Sequence, residues 1–321
     1  MCYRLKNAKS SPILEEGRSR RVFFLLNISI LRVGEGLKVL PFEKTQIIFG
    51  FPLTYLYLCS VKTKSMNQIH PLAVVSPEAQ LGDNNVIGPF CVINDNVVMG
   101  DNNHLLNNVT IHTGARIGNG NEFFPGSSIS TKPQDLKFKG EESLCIVGDN
   151  NSIRENVTIS RGTASCGKTV VGSGNLLMEN MHIAHDCIIG NNCIIGNSTK
   201  FAGEVEVDDF AIISASVLLH QFIRIGSYVM IQGGSRTSQD IPPYIIAGKE
   251  PIRYAGVNLI GLRRRGFSTE TIEMIHDTYR TIYARGIIRD GIAEARAKYP
   301  DSKEVEYICS FIESSKRGVI R

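Results

Sequence analysis

The sequence predicts a mainly β fold, a left-handed parallel β-helix of six-residue repeats, followed by a small C-terminal α-helical domain. Three observations predict it. Large apolar residues recur every six positions without losing phase. Glycines and Asn-Asn or Asp-Asn pairs recur with the same period. Near the C-terminus the apolar spacing changes to that of helices. The expected boundaries are 1–65 for an unpatterned extension, 66–257 for the β-helix and 258–321 for the helical domain.

The first 65 residues show none of this order. Phe23 to Leu31 and Ile47 to Cys59 are apolar runs too short to span a bilayer as a helix, so no transmembrane segment is expected. No small-residue cleavage site follows a basic start, as a secretory signal would require. Arg18, Arg20 and Arg21 would suit a transit-like or membrane-surface extension. The simpler expectation is a start assigned too early, because Met66 stands three residues before the first repeat at Ile69.

From Ile69 to Ile231 the chain can be stepped through in sixes, and 25 of the 28 positions are large and apolar. The exceptions are Asp135, Glu141 and Ser165, and the phase survives each of them. A chain that is 42% hydrophobic does not do this by chance. In such a solenoid each hexad is one short strand and one turn, and three hexads close a triangular coil. The large residue fills the interior. The residue four later is small or apolar, as at Ala79, Val109 and Ala211, and the residue one later is often Gly, as at Gly88 and Gly190. Gly, Asn-Asn and Asp-Asn are expected to serve turns with positive φ. Cys91, Cys145, Cys187 and Cys193 share one phase, so they are expected as buried core thiols.

The tail supplies the end cover that a solenoid needs. Ser268 can cap a helix with the apolar face Ile272, Ile275, Tyr279, Ile282 and Tyr283, stopping at Gly286. Pro300-Asp301 followed by Glu304 predicts a second cap, ahead of Val305, Ile308, Phe311 and Ile312.

Composition narrows the function. A formal charge of +4 carries no strong field for nucleic acid, although Arg263, Arg264 and Arg265 could form a local anion site. Eight cysteines without a C-x-x-C pair offer no metal spacing, and no disulfide framework or cofactor is expected. The chemistry concentrates in Asn180 to Cys187, NMHIAHDC. Ile183 is interior, so His182 and His185 should point outward. His185 beside Asp186 suits a general base oriented by a carboxylate. Eighteen residues after His185 comes Gly203, stacked about one strand spacing (~4.8 Å) away, where an open N–H would make an oxyanion donor. Eighteen after Ala202 comes His220. The breaks in the repeat, about Thr131 to Ser143 and Arg161 to Lys168, are expected as loops.

From Met66 to Arg321 the chain resembles the UDP-N-acetylglucosamine 3-O-acyltransferases of lipid A synthesis, through IGPFCVI, QDLKFKGE, IRENVTISRGT, VGSGNLLMENMHIAHDC, VDDFAII, HQF, QDIPPY, GVNLIGLRRRGFS and RGVIR. The resemblance implies a cytoplasmic homotrimer that takes a 3-hydroxyacyl group from acyl carrier protein. It implies His185 as base, Asp186 as its support and Gly203 as oxyanion donor. Asp135, Lys137, His182, His220 and Gln221 match family positions that bind the sugar nucleotide or assist catalysis. Asn258, Arg264 and Arg265 match uridine and phosphate contacts, and Gly233 matches the far end of the acyl groove. Ser160 and Glu204 stand where some members carry His, and Lys249 to Arg253 drifts from the pattern.

Three other readings compete. The related UDP-sugar N-acyltransferase would carry a uridine-binding domain ahead of its helix. A β-helix carbonic anhydrase would need three histidines on zinc, with His182, His185 and His220 as the candidates. A purely structural scaffold would not need the outward histidines or the triple Arg.

Overall fold

The computed structural model describes residues 66–284 and 287–321 throughout. Met1–Ser65 form a separate unit, of which it describes five short strands, including the antiparallel pair Ile28–Val33 and Gly36–Pro41. The question of where the natural chain starts, and the helix stop at Gly286, lie outside the described residues.

The strands from Gln68–Ile69 to Ile245–Gly248 form a left-handed parallel β-helix, which Arg253–Val257 closes by pairing antiparallel with Ile245–Gly248. Its strands fall into a nine-stranded, an eight-stranded and an eleven-stranded sheet, here A, B and C, which wall a triangular prism. Each coil adds one strand to each sheet. The register joins residues eighteen apart, as in Ile183 with Phe201, Ile189 with Val207 and Ile195 with Ile213. Every in-phase apolar residue from Ile87 to Ile231 is buried, whereas Ile69 in the first coil is 45% exposed. The four in-phase cysteines are fully buried; Cys91 donates its S–H to the Leu106 carbonyl at 3.0 Å and Cys187 to Ala202 at 3.2 Å. Burial pushes the Cys145, Cys187 and Cys193 thiols up to about 12, which removes them from thiolate chemistry.

Two turn assignments need correction. Positive φ recurs three residues after the interior residue in most hexads, at Asn and Gly such as Asn84, Asn102, Gly120 and Gly174 as expected, but also at Asp186, Glu204, Phe210 and Tyr228. The glycines one after the interior residue serve close approach instead. A Cβ on Gly88 would lie 2.0 Å from the Leu106 carbonyl oxygen of the next coil. The asparagines do more than turn the chain. Asn85, Asn103, Asn121, Asn151 and Asn175 are buried and stacked along the B–C edge, and each carboxamide oxygen accepts the N–H of the residue above at 2.7–2.9 Å. The amide nitrogens donate to carbonyls such as Gly118 and Gly148, so this polar column is satisfied.

Four helices follow, α1 (Leu259–Arg264), α2 (Thr269–Ala284), α3 (Ile288–Lys298) and α4 (Lys303–Glu313). Ser268 caps α2 as expected, accepting the Thr271 N–H at 3.2 Å, and Ile272, Ile275, Tyr279 and Ile282 are buried. The cap of α4 is Ser302, which accepts the Val305 N–H at 3.2 Å, and not Asp301. Helices α1 and α3 had no counterpart among the predicted elements. Gly291 lets α3 sit on α2, because a Cβ there would lie 2.7 Å from Ile282 Cα. The helices are tied to the solenoid by the buried Tyr279, whose hydroxyl donates to the Pro243 carbonyl at 2.6 Å. Among the described residues no helix is long and apolar enough to cross a membrane.

Candidate active site

Both insertions leave the prism at the A–B edge, in consecutive coils. The first runs between the strands Ser128–Thr131 and Leu144–Val147, the second between Thr158–Ser160 and Lys168–Val171. On the next coils the same edge carries His185 and Asp186, then Gly203 and Glu204, then His220, Gln221 and Phe222. The chemistry-bearing residues therefore form a file along one edge.

His185 is the centre of that file. Its Nδ1 lies 2.8 Å from Asp186 Oδ2, and its side chain is 18% exposed. The Asp186 carboxylate is buried and accepts three further hydrogen bonds. Thr163 N–H donates to Oδ1 at 2.9 Å, Thr163 Oγ1 to Oδ2 at 2.6 Å and Cys166 N–H to Oδ1 at 3.3 Å. A carboxylate so bonded accepts from Nδ1, which leaves the Nε2 lone pair free to take a proton. Asp135 Oδ2 stands 3.7 Å from Nε2, placed to stabilise the imidazolium once that proton arrives. The loop fixes Asp135 through its own Lys137 N–H, which donates to Oδ1 at 2.9 Å. The Lys137 side chain is exposed beside it.

The imidazole lies directly on Gly203. A Cβ at Gly203 would be 2.6 Å from His185 Cε1 and 2.8 Å from Nε2. The two residues sit on successive coils, joined by the Glu204 N–H donating to the His185 carbonyl at 3.0 Å, and the His185 ring leans over the glycine. On sheet A, His182 pairs with Thr158 on one side and Lys200 on the other, and its Nδ1 lies 2.7 Å from Thr158 Oγ1. Burial first, then the nearby Lys200 and His185, hold its pKa below the ordinary imidazole value. His112, below the first loop, is lowered by burial and by Arg161, and its Nε2 lies 2.9 Å from Ser128 Oγ. The Arg161 guanidinium lies over the Phe138 ring, 5.4 Å from its centroid, which pins the first loop to the second.

His220 and Gln221 are exposed, and Arg317 NH2 lies 2.8 Å from His220 Nδ1. Within one chain the three histidines of the zinc reading have separate partners: His182, His185 and His220 contact Thr158, Asp186 and Arg317 respectively. Among the described residues no group of three or more possible ligands is arranged around a point.

The remaining predicted residues stand elsewhere on the prism. Phe210, Tyr228 and Tyr244 stack along the B–C edge, with Arg265 over the Phe210 ring at 4.8 Å. Asn258 is bonded on both sides: its amide donates to the Tyr228 carbonyl at 2.9 Å, and its oxygen caps α1 at Gly261 N–H, 3.1 Å away. Its part at this edge is to set α1, which ends in Arg264 and the following Arg265. Gly233 is exposed at the third edge, between sheets C and A. Within one chain, then, the A–B edge unites Asp135, Lys137, His185, Asp186, Gly203, His220 and Gln221, with His182 beside it. Arg264, Arg265 and Gly233 lie on other edges. Ser160 is buried against Thr131 Oγ1 at 3.1 Å, and Glu204 accepts the Ser165 hydroxyl at 3.0 Å, so both departures are used by the loops.

Thr163 and Thr169, which hold Asp186 through its carboxylate and its N–H, were not among the predicted site residues. The Arg-Gly-Thr stretch was the available signal, but nothing in the spacing joins it to Asp186.

Residues 240–320 match the family model for domain 2 of the UDP-N-acetylglucosamine O-acyltransferases, and residues 168–203 match that for bacterial transferase hexapeptide repeats. Among solved structures, the UDP-N-acetylglucosamine acyltransferase of Bacteroides fragilis is 62% identical, over 79% of this chain and 100% of that one, with a TM-score of 0.78. The Francisella novicida enzyme is 39% identical over 79% and 94%, TM-score 0.76. The Arabidopsis enzyme is 31% identical over 79% and 100%, TM-score 0.72.

Proposed function

The chain belongs to the family of UDP-N-acetylglucosamine O-acyltransferases, and from that premise we propose that it acylates the 3-hydroxyl of UDP-N-acetylglucosamine with an (R)-3-hydroxyacyl group from acyl carrier protein, the first step of lipid A biosynthesis, in the cytoplasm. The observation that carries the reading is the His185–Asp186 pair set over Gly203. His185 Nε2 takes the proton of the sugar hydroxyl. The oxygen attacks the thioester carbonyl, and the Gly203 N–H stabilises the resulting oxyanion. Collapse expels the carrier's thiolate, which recovers the proton from His185. Asp186 and Asp135 balance the imidazolium between those two steps.

In this reading Lys137, His182, His220 and Gln221 line the acceptor side, and Arg264 and Arg265 hold the diphosphate or uridine. Arg suits a diphosphate because its planar fork makes paired hydrogen bonds. The distribution of these residues supports a homotrimer. The base stands on the A–B edge, whereas Arg265 stands on the B–C edge and Gly233 on the C–A edge. An acceptor and its acyl donor can meet them together only where different edges of neighbouring copies face each other.

The test is His185→Ala. Loss of a general base costs about 10² to 10⁴ in rate. The variant should keep its circular dichroism and its oligomeric state while losing turnover to that extent. A folded variant within threefold of wild type would remove His185 as the base.

A further inference from the structure

We propose that Thr163 is a positioning residue of the reaction, which holds the Asp186 carboxylate so that Oδ2 stays aimed at His185 Nδ1. The inference rests on the reading of His185 as the base. Thr163 is 6% exposed and touches Asp186 twice, through its N–H and its hydroxyl. The direction of the hydroxyl bond is determined. Ser165 N–H, which can only donate, points to Thr163 Oγ1 at 3.2 Å, and the hydroxyl's own proton is therefore left for Asp186 Oδ2. Oδ2 thus shares two donors, Thr163 Oγ1 at 2.6 Å and His185 Nδ1 at 2.8 Å. The short bond to Thr163 restrains the carboxylate and draws off part of its negative charge.

Thr163 can do this because its loop is pinned from three sides. Glu141 of the first loop accepts Ala164 N–H at 3.0 Å, and Glu204 from the coil after the base accepts the Ser165 hydroxyl at 3.0 Å. Gly162 N–H donates to the Leu144 carbonyl at 3.0 Å, and Gly167 N–H closes the loop on the Thr163 carbonyl at 2.7 Å. The loop that carries Asp135 and the loop that steers Asp186 are joined through Glu141. The other titratable groups that act on His185 are Asp135, whose Oδ2 stands 3.7 Å from Nε2, and the neighbouring His182.

Thr163→Val keeps the shape and the backbone N–H and removes only the hydroxyl. Oδ2 then keeps its full charge for His185, so the imidazole becomes more basic. The expected result is a kcat lowered about tenfold or more with KM for the nucleotide sugar unchanged. The acid limb of kcat/KM, which reports the free enzyme's base, should move to higher pH. Thr163→Ser restores the hydroxyl and should return both kcat and the limb to near wild type. In an Asp186→Asn background Thr163→Val should cost far less, because its target is altered. A folded Thr163→Val with an unmoved acid limb and kcat within twofold overturns the proposal. So does a folded Thr163→Ser with a tenfold loss, which decides the matter even if the valine variant does not fold. Should His185→Ala retain activity, the base assignment fails, whatever the threonine variants do. Should it be inactive while Thr163→Val is normal, only the role of Thr163 falls.

Discussion

Gly203→Ala separates two properties of this glycine, its N–H and its lack of a side chain. Alanine keeps the N–H, so an oxyanion donor survives. Gly203 does not occupy the positive-φ region, and alanine can adopt its backbone conformation. The added methyl would start 2.6 Å from His185 Cε1, 2.8 Å from Nε2 and 3.2 Å from Nδ1. Ordinary contact begins at 3.4 Å, so the ring must move by about 1 Å. The ring cannot move toward Asp186, which is already at hydrogen-bond distance, and it swings outward instead. A misplacement of about 1 Å in a reacting group costs on the order of 10²-fold. That loss corresponds to about 2.7 kcal/mol of barrier. The fold should be spared, because His185 stands at the prism edge and the interior coil is untouched. The assay is steady-state turnover with UDP-N-acetylglucosamine and a 3-hydroxyacyl carrier protein, beside a thermal melt of each protein. An alanine variant within threefold of wild type would show that the ring does not need to lie on Gly203, and the dyad geometry argued above would be refuted.

Three further outcomes are expected. Arg265→Ala should raise KM for the nucleotide about tenfold with a smaller change in kcat, since a contact held equally in ground and transition states acts on binding; an unchanged KM would count against a nucleotide role. Gly233→Met should favour shorter acyl chains: its Cβ would stand 3.1 Å from the Ala215 carbonyl oxygen, which must yield by a few tenths of an ångström, and each methylene displaced from the groove costs about 0.8 kcal/mol. Equal losses for long and short donors, measured as specificity constants, would place the groove elsewhere. His112 and His182 are both held below the ordinary imidazole value, so the unfolded chain binds more protons than the folded one just below ~6.5. Their share of stability is present above that pH and lost as pH falls toward the folded values. The melting temperature of His112→Asn should therefore fall less steeply than wild type between about pH 6.5 and 5, and parallel slopes would contradict the shift.

The solenoid was legible because its two insertions lengthen the chain by whole hexads: Ile117 pairs with Val147, thirty residues on, and Val147 with Val171, twenty-four on. Each is a multiple of six, so the interior phase never moves. Turn chemistry was less legible. Gly88 and Gly100 read as positive-φ glycines, yet the next coil's backbone demands them, while Phe210 and Tyr228 adopt positive φ with no sequence signal. The buried asparagine column was hidden because Asn is an ordinary turn residue and burial is invisible in one coil. Helix α1 has only six residues, and α3 is charged with a glycine inside, so neither shows a clear apolar stripe. His185 and Asp186 were legible as a base and carboxylate flanking the interior Ile183, and Gly203 through the eighteen-residue period. Thr163 was not, because its loop lies outside that period. The placement of Arg265 and Gly233 on separate edges needed the three-sheet topology.

The insertions at one edge carry a wider consequence. A solenoid's coils depend on their immediate neighbours for packing. Because Ser128–Thr131 still pairs with Thr158–Ser160 and Leu144–Val147 with Lys168–Val171, the loops leave the rungs paired, and the disturbance is confined to one register shift between Ile129 and Thr131. The molecule therefore divides its labour by direction. Its axis sustains the fold through repetition, while one seam parallel to that axis holds the departures from repetition. Changes in loop length along that seam can alter what meets His185 without renegotiating the interior, provided each loop begins and ends at the same edge.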